Sequence, residues 1–348
     1  MKNSLKIALA GAGLTAVTGA GVAAAVARFA LAEPRQPASA KLIEDFDGAH
    51  TDRFVSAADG VRLHVREWGP ADGPVAVLIH GWTCNVANFP RQVEHLVGRG
   101  YRVVGYDQRG HGESEPGSFV DYGTDLLADD LHVVLTDALT DTSGPALLVG
   151  HSMGAITIMA WAGRYPAEVA RYAHHVLLLS TFADDAVPTF VGATPLSPAN
   201  RAPGTVLRLG GAVLGAPMRL RHTRLDTALL RYAALCGYAS YGAVRYTEEM
   251  VSQCPPRVRA AWGRVLVDID VRDGLRSLTV PTSVAVGQFD HLTPPAHAER
   301  IAAELRLTGH LDRYAVIRDS GHMLPLEQPE KVNTLIDAIL GNQVPAPA

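Results

Sequence analysis

Ser152 stands in Gly150-His151-Ser152-Met153-Gly154, directly after the apolar run Ala146 to Val149 and directly before a helical pattern that begins at Met153. A serine on so tight a strand-to-helix turn needs small neighbours, and the turn lifts its hydroxyl to a helix N-terminus where developing negative charge is favoured. That is the setting of a nucleophile. A serine hydroxyl is a poor one at neutral pH without an adjacent base, and 14 histidines compete for the part. His322, in Asp319-Ser320-Gly321-His322-Met323, follows the last strand-like run and precedes the last helical one, which puts it on the same sheet edge as Ser152. His95, His132 and His297 fall inside helical patterns and read as surface or packing residues, while His174 and His175 flank a strand start with no argued route to the turn.

A base of this kind needs a carboxylate to fix its tautomer and stabilise its charged form. Asp290, in Gly287-Gln288-Phe289-Asp290-His291, follows the strand-like run Thr282 to Val286 at the same edge. The chain order Ser152, Asp290, His322 is one known arrangement of this triad. Asp184 and Asp185, after the preceding strand, compete for the acid's place. Acyl transfer also needs donors for a tetrahedral oxyanion. The Met153 N–H, next to the nucleophile, supplies one, and the Trp82 N–H in His80-Gly81-Trp82 the other, with Gly81 permitting the close turn and His80 bracing it. This chemistry needs no metal or organic cofactor.

The elements that must position these residues alternate along the chain. Strand patterns at Val61 to Trp68, Val75 to Ile79, Val103 to Tyr106, Ala146 to Val149, Val176 to Leu179, Thr282 to Val286 and Tyr314 to Ile317 bracket helical patterns at Phe89 to Val97, Tyr122 to Leu139, Met153 to Ala162, Pro295 to Leu305 and Lys331 to Leu340. Short apolar strands between helices imply a mostly parallel sheet covered on both faces. The rhythm breaks over residues 184–277, where helical stretches at Leu225 to Cys236 and Val258 to Val267 imply a helical cap inserted into a core formed by residues 51–183 and 278–342. An apolar cap face through Leu225, Leu229, Leu230, Ala233 and Leu235 is expected to line an acyl pocket or to pack the cap. Arg201, Arg208, Arg219, Arg221, Arg224, Arg231 and Arg245 are expected on the outside.

The 348 residues are 47% hydrophobic and 19% charged, enough for a sizeable core, and a net charge of −4 without a long basic run excludes nucleic acid as a partner. Residues 1–32 differ in kind: Lys2 and Lys6 precede an uncharged stretch from Ile7 to Ala27, and Ala30-Leu31-Ala32 follows. This is the pattern of a signal peptide cleaved after Ala32 or of a retained transmembrane anchor, and either places the protein outside the cytoplasm, secreted or held at the membrane. Residues 33–50 read as a linker. Three cysteines are too few for a zinc site or a disulfide framework; Cys236 and Cys254, both in the inserted region, either pair after export or remain buried thiols. The oligomeric state is open.

His80-Gly81-Trp82, Asp107-Gln108-Arg109-Gly110-His111-Gly112-Glu113-Ser114, the Ser152 pentapeptide, Gly287-Gln288-Phe289-Asp290 and Ser320-Gly321-His322 together resemble the α/β-hydrolase superfamily from about Phe54 to Leu340. The branch is that of bacterial esterases, monoacylglycerol-type lipases and non-haem haloperoxidase-like enzymes. Ala155 stands where many of these have a further Gly. The resemblance implies the α/β-hydrolase fold and a small-molecule carboxylic ester, lipid-like or otherwise apolar, as substrate. Carbon-carbon bond hydrolases and perhydrolases share the triad, and a non-catalytic binding protein on the fold is the reading from a different class.

Overall fold

The computed structural model describes residues 43, 45–139, 143–184 and 224–341. The export segment, most of the linker, Asp185, and the cap arginines Arg201, Arg208, Arg219 and Arg221 lie outside the described residues. In chain order the strands are β1 (His50–Ser56), β2 (Arg62–Trp68), β3 (Val75–Ile79), β4 (Arg102–Tyr106), β5 (Ala146–His151), β6 (Ala173–Leu179), β7 (Thr282–Gly287) and β8 (Leu311–Ile317). They form one sheet in the order β1-β2-β4-β3-β5-β6-β7-β8. β1 pairs antiparallel with β2 and β2 with β4, and every later pairing is parallel. This is the α/β-hydrolase fold.

The helices used below are α1 (Pro90–Gly98), α2 (Thr124–Ala138), α3 (Met153–Arg164), α4 (Val169–Tyr172), α5 (Arg224–Ala234), α6 (Tyr241–Gln253), α7 (Pro256–Val267), α8 (Arg272–Arg276), α9 (Pro295–Leu307), α10 (Leu324–Glu327) and α11 (Pro329–Gly341). Because successive strand side chains point to opposite faces, β3 divides its five buried residues between two cores. Val75, Val77 and Ile79 join Leu148, Leu178, Val284 and the inner faces of α2, α3 and α9. Ala76 and Leu78 join Val149, Leu177 and Leu179 under α1 and α11. Covered on both faces, the central strands have no polar side to show, which is why they read as continuous apolar runs.

From β3 the chain crosses through α1 to β4 on one side, then through α2 to β5 on the other. The order reverses there, and the carboxyl ends of the strands at such a reversal, here β3 and β5, are the place where open α/β sheets bind ligands. Those two ends carry the His80 loop and Ser152.

The inserted helices are not a separate layer. Val258, Trp262 and Leu266 of α7 belong to the main core, and the Trp262 ring lies 4.3 Å from that of Tyr122. A smaller cluster joins Leu235, Val244 and Met250 of the insertion to Cys84 and Met323, with Leu230 and Ile43 packed against it. Leu230 and Leu235 therefore pack the insertion onto the body, and Ile43, from the segment read as a linker, packs there too. Arg231 departs from the expected outer arginines: it is 5% exposed, and burial pulls its pKa below the usual value. Arg245 stays outside, paired with Glu248 at 2.8 Å. Cys84, Cys236 and Cys254 are free and buried, so the Cys236–Cys254 pair is not formed. Among the described residues no helix is long and apolar enough to cross a membrane.

Candidate active site

Ser152 occupies φ 53°, ψ −116°, a backbone conformation L residues rarely adopt and one that costs on the order of 1–3 kcal/mol. Its surroundings hold it there. The Ser152 N–H donates to Leu179 O at 2.8 Å, and Ser152 O accepts from the Ala155 and Ile156 N–H groups and from Thr181 Oγ1 at 3.0 Å. The flanking glycines are required by space: a Cβ on Gly150 would lie 2.6 Å from the Ala155 backbone, and one on Gly154 would lie 2.1 Å from Ile79 O. The hydroxyl-bearing residue stays half-buried at the carboxyl end of β5, with α3 starting one residue later.

His322 and Asp290 meet as the sequence predicts. His322 Nδ1 donates to Asp290, 2.9 Å from Oδ2 and 3.1 Å from Oδ1. Asp290 is 2% exposed and also accepts from the Leu292 N–H, the Thr293 N–H at 2.7 Å and Thr293 Oγ1 at 2.7 Å. Burial alone would raise its pKa, but the His322 charge and these donors outweigh it and hold the carboxyl below the usual range. Asp184 is engaged elsewhere, 3.4 Å from Arg300 Nη2 and 3.6 Å from Arg272 Nε.

The loop carrying Trp82 is built on neutral histidines. His80 Nδ1 donates to Gly81 O at 2.7 Å while Nε2 accepts the Gln108 N–H at 2.9 Å. His111 Nε2 accepts the Thr83 N–H at 3.2 Å, and Nδ1 donates to Arg109 O. Burial pushes both below the ordinary value, His111 to about 3. Thr83 itself sits at φ 65°. The Trp82 indole N–H is spent on Arg259 O in α7 at 3.1 Å, which turns the ring toward the insertion and leaves only the backbone N–H for an oxyanion. A Cβ on Gly81 would come within 3.2 Å of the Ser152 Cβ, so this loop and the serine turn are in direct contact.

Two contacts went unread in the sequence. The Ala234 carbonyl at the end of α5 accepts from both the His322 and Met323 N–H groups at 3.1 Å. Glu327, half-buried in α10, accepts from the Gly321 N–H at 3.0 Å, the Met323 N–H at 3.1 Å and the Cys236 N–H at 2.7 Å. The insertion thus touches the histidine loop through the Ala234 carbonyl, and Glu327, from the helix that follows the loop, ties the same loop to Cys236. The only available signal was the short spacing from His322 to Glu327. Among the described residues no group of three or more His, Cys, Asp or Glu side chains is placed to hold a metal ion.

A strained serine, a buried carboxylate–histidine pair and a loop offering backbone donors, gathered at the switch point of this sheet, define an α/β-fold hydrolase. The chain belongs to the alpha/beta hydrolase fold family, whose model matches residues 74–329. It is 28% identical over 276 residues to a non-heme chloroperoxidase of Streptomyces lividans, covering 75% of this chain and 90% of that one. A bifunctional esterase/perhydrolase of Acinetobacter calcoaceticus is 34% identical over 115 residues, 33% of this chain and 40% of that one. Among solved structures, a thermophilic esterase from Thermogutta terrifontis superposes with a TM-score of 0.63 at 25% identity, over 84% of this chain and 98% of that one.

Proposed function

We propose that the protein hydrolyses carboxylic esters through an acyl-enzyme, with Ser152 as nucleophile, His322 as general base and Asp290 as the acid that orients it. Ser152 Oγ attacks the ester carbonyl while its proton passes to His322 Nε2. Asp290 keeps the Nδ1–H tautomer and stabilises the imidazolium, and the backbone N–H groups of Met153 and Trp82 face the oxyanion. His322 returns the proton to the leaving alkoxide, then activates the water that releases the acid. The observation that carries this reading is the contact of His322 Nδ1 with both oxygens of the buried Asp290. Labelling by a small fluorophosphonate and turnover of p-nitrophenyl esters of graded chain length test it. Ser152→Ala should lose both, with turnover down on the order of 10^6-fold, because triad members act as a unit. More than a few per cent of activity in that variant would refute the assignment.

A second reading has hydrogen peroxide in place of water, so that the same acyl-enzyme yields a peracid and free Ser152. The similarity to a bifunctional esterase/perhydrolase over 115 residues supports it. Peracid formation from short-chain acids and peroxide, compared with ester turnover by the same preparation, separates the two. The N-terminal pattern further supports work outside the cytoplasm, and sequencing the mature N-terminus distinguishes a chain that begins at Glu33 from an intact anchor.

A further inference from the structure

His151, immediately before the nucleophile, has no part in the proton transfers above, yet it is buried at 1% exposure and both of its ring nitrogens are engaged. Its Nε2 lies 2.9 Å from the backbone carbonyl of His322. A carbonyl can only accept, so Nε2 carries the proton. Its Nδ1 lies 3.3 Å from Asn88 Nδ2 and, lacking a proton in the neutral ring, accepts from that amide. Asn88 belongs to the turn that follows the Trp82 loop and is itself fully buried. The imidazole thus spans three loops at once: the oxyanion side, the serine turn and the histidine loop.

We infer that His151 is a positioning residue that sets the distance between Ser152 and His322, by tying the backbone carbonyl of the catalytic histidine to the residue adjoining the nucleophile. The space around it fits this role. A Cβ on Gly81 would approach His151 Nδ1 to 3.0 Å, so the oxyanion loop leaves just enough room for the ring. The two imidazoles of His151 and His322 sit 5.0 Å apart, centroid to centroid. His322 O also accepts the Leu324 N–H at 2.9 Å, a bond internal to its own loop that cannot register the loop against the serine. Burial, and then the neighbouring His322, push the His151 pKa to about 3, so the bridge stays in one protonation state across the pH range of catalysis.

The role rests on the proposed ester hydrolysis, and the experiment separates the two. Wild type, His151→Leu, His151→Gln and Asn88→Ala are compared for kcat, KM and the rate of fluorophosphonate labelling, with thermal melting as the check on folding. Glutamine can reproduce both bonds, its amide donating to His322 O and its carbonyl accepting from Asn88. His151→Leu should lose about 10–100-fold in kcat and in labelling rate with KM within about 2-fold, as expected when reacting groups drift by a fraction of an ångström to an ångström. His151→Gln should recover to within about 3-fold of wild type, and Asn88→Ala should fall between. A folded His151→Leu with kcat within 2-fold of wild type overturns the role, as does a folded His151→Gln no better than His151→Leu. If His151→Leu does not fold, Asn88→Ala decides: an unchanged kcat there refutes the bridge. A wild type inert to both ester and fluorophosphonate would instead refute the functional reading, and the positioning role with it.

Discussion

Replacing Gly154 by alanine adds one methyl group at the point where the serine turn presses against the end of β3. The new Cβ would meet Ile79 O at 2.1 Å, the Ile79 carbonyl carbon at 2.6 Å and His80 O at 2.7 Å. All three atoms are backbone, so no side chain can rotate away. To reach even 3.0 Å from Ile79 O the turn must move by about 0.9 Å relative to β3. Overpacking of this kind costs about 1–3 kcal/mol, which corresponds to a fall in Tm of roughly 2–10 °C for a domain this size. The atoms pressed upon, Ile79 O and His80 O, lie just ahead of the Trp82 loop, so the shift falls between that loop and Ser152's turn. A displacement of about 1 Å in a reacting group costs on the order of 10^2 in rate, so kcat should fall by about that factor even in the fraction that remains folded. Calorimetry and active-site titration with a fluorophosphonate measure the two effects separately. Gly98→Ala is the control, since nothing lies within 4 Å of a Cβ there and, at the end of α1, the added methyl should stabilise the helix by at most about 1 kcal/mol rather than destabilise it. A Gly154→Ala protein that melts within about 1 °C of wild type and turns over within 2-fold would refute the argument that backbone contact fixes the serine.

Asp290→Asn should lower kcat on the order of 10^4-fold by favouring the wrong His322 tautomer, whereas Asp184→Asn, whose carboxyl faces Arg272 and Arg300, should cost little; the reverse ranking in steady-state kinetics would move the acid to β6. Because the folded Asp290 carboxyl titrates below the ordinary aspartate value of 3.8, its contribution to stability is complete above that pH and is lost as pH falls through the lower folded value, so the acid limb of a Tm–pH curve should flatten in the same variant. His64 faces Asp107 at 2.7 Å through Nδ1 and Asp52 at 2.8 Å through Nε2, and although burial opposes it these carboxylates raise its pKa above 6.5. The stability it supplies is full below pH 6.5 and disappears as pH rises through the folded value; His64→Gln should remove this loss of Tm on the alkaline side, and an unaltered slope would count against the paired imidazolium. Burial pushes the Cys84, Cys236 and Cys254 thiols up to about 12, so a thiol reagent at pH 8 should modify none of them until the protein is unfolded.

The parts of the fold that could be read in advance were those where burial repeats at a regular spacing. β3 and β7 have all their residues buried and announce themselves, as do α1 and α9. β1 escaped because it is an edge strand whose residues are mostly exposed, His-Thr-Asp-Arg-Phe-Val-Ser, with no apolar face to repeat; only its register against β2 makes it a strand. The positions of Ser152 and His322 were legible because one directly follows β5 and the other lies in the loop after β8, each within a glycine-containing motif. Asp290 was favoured over Asp184 by its place after β7, but Asp184 stayed a competitor because β6 and β7 are neighbours and both carboxylates leave the same edge. What separates them is which cations they meet, and Arg272 and Arg300 come from distant parts of the chain. The work of His111, His151 and Glu327 was hidden for the same reason: each acts on backbone atoms of other loops, and backbone leaves no trace in residue identity.

Ala234, at the end of α5, accepts from the amides of His322 and Met323, and Cys236 two residues on donates to Glu327. An opening of the insertion would therefore release the histidine loop along with the substrate path. Local unfolding in proteins proceeds by cooperative segments with their own free energies, and a segment comprising the end of α5 and this loop would carry His322, half of the proposed catalytic pair, with it. Heat should then silence the enzyme while the sheet is still intact, so that inactivation runs ahead of global melting and reverses on cooling. A heated sample would hold folded, inactive molecules whose amides at Gly321, His322 and Met323 exchange with solvent while those of β3 and β5 remain protected.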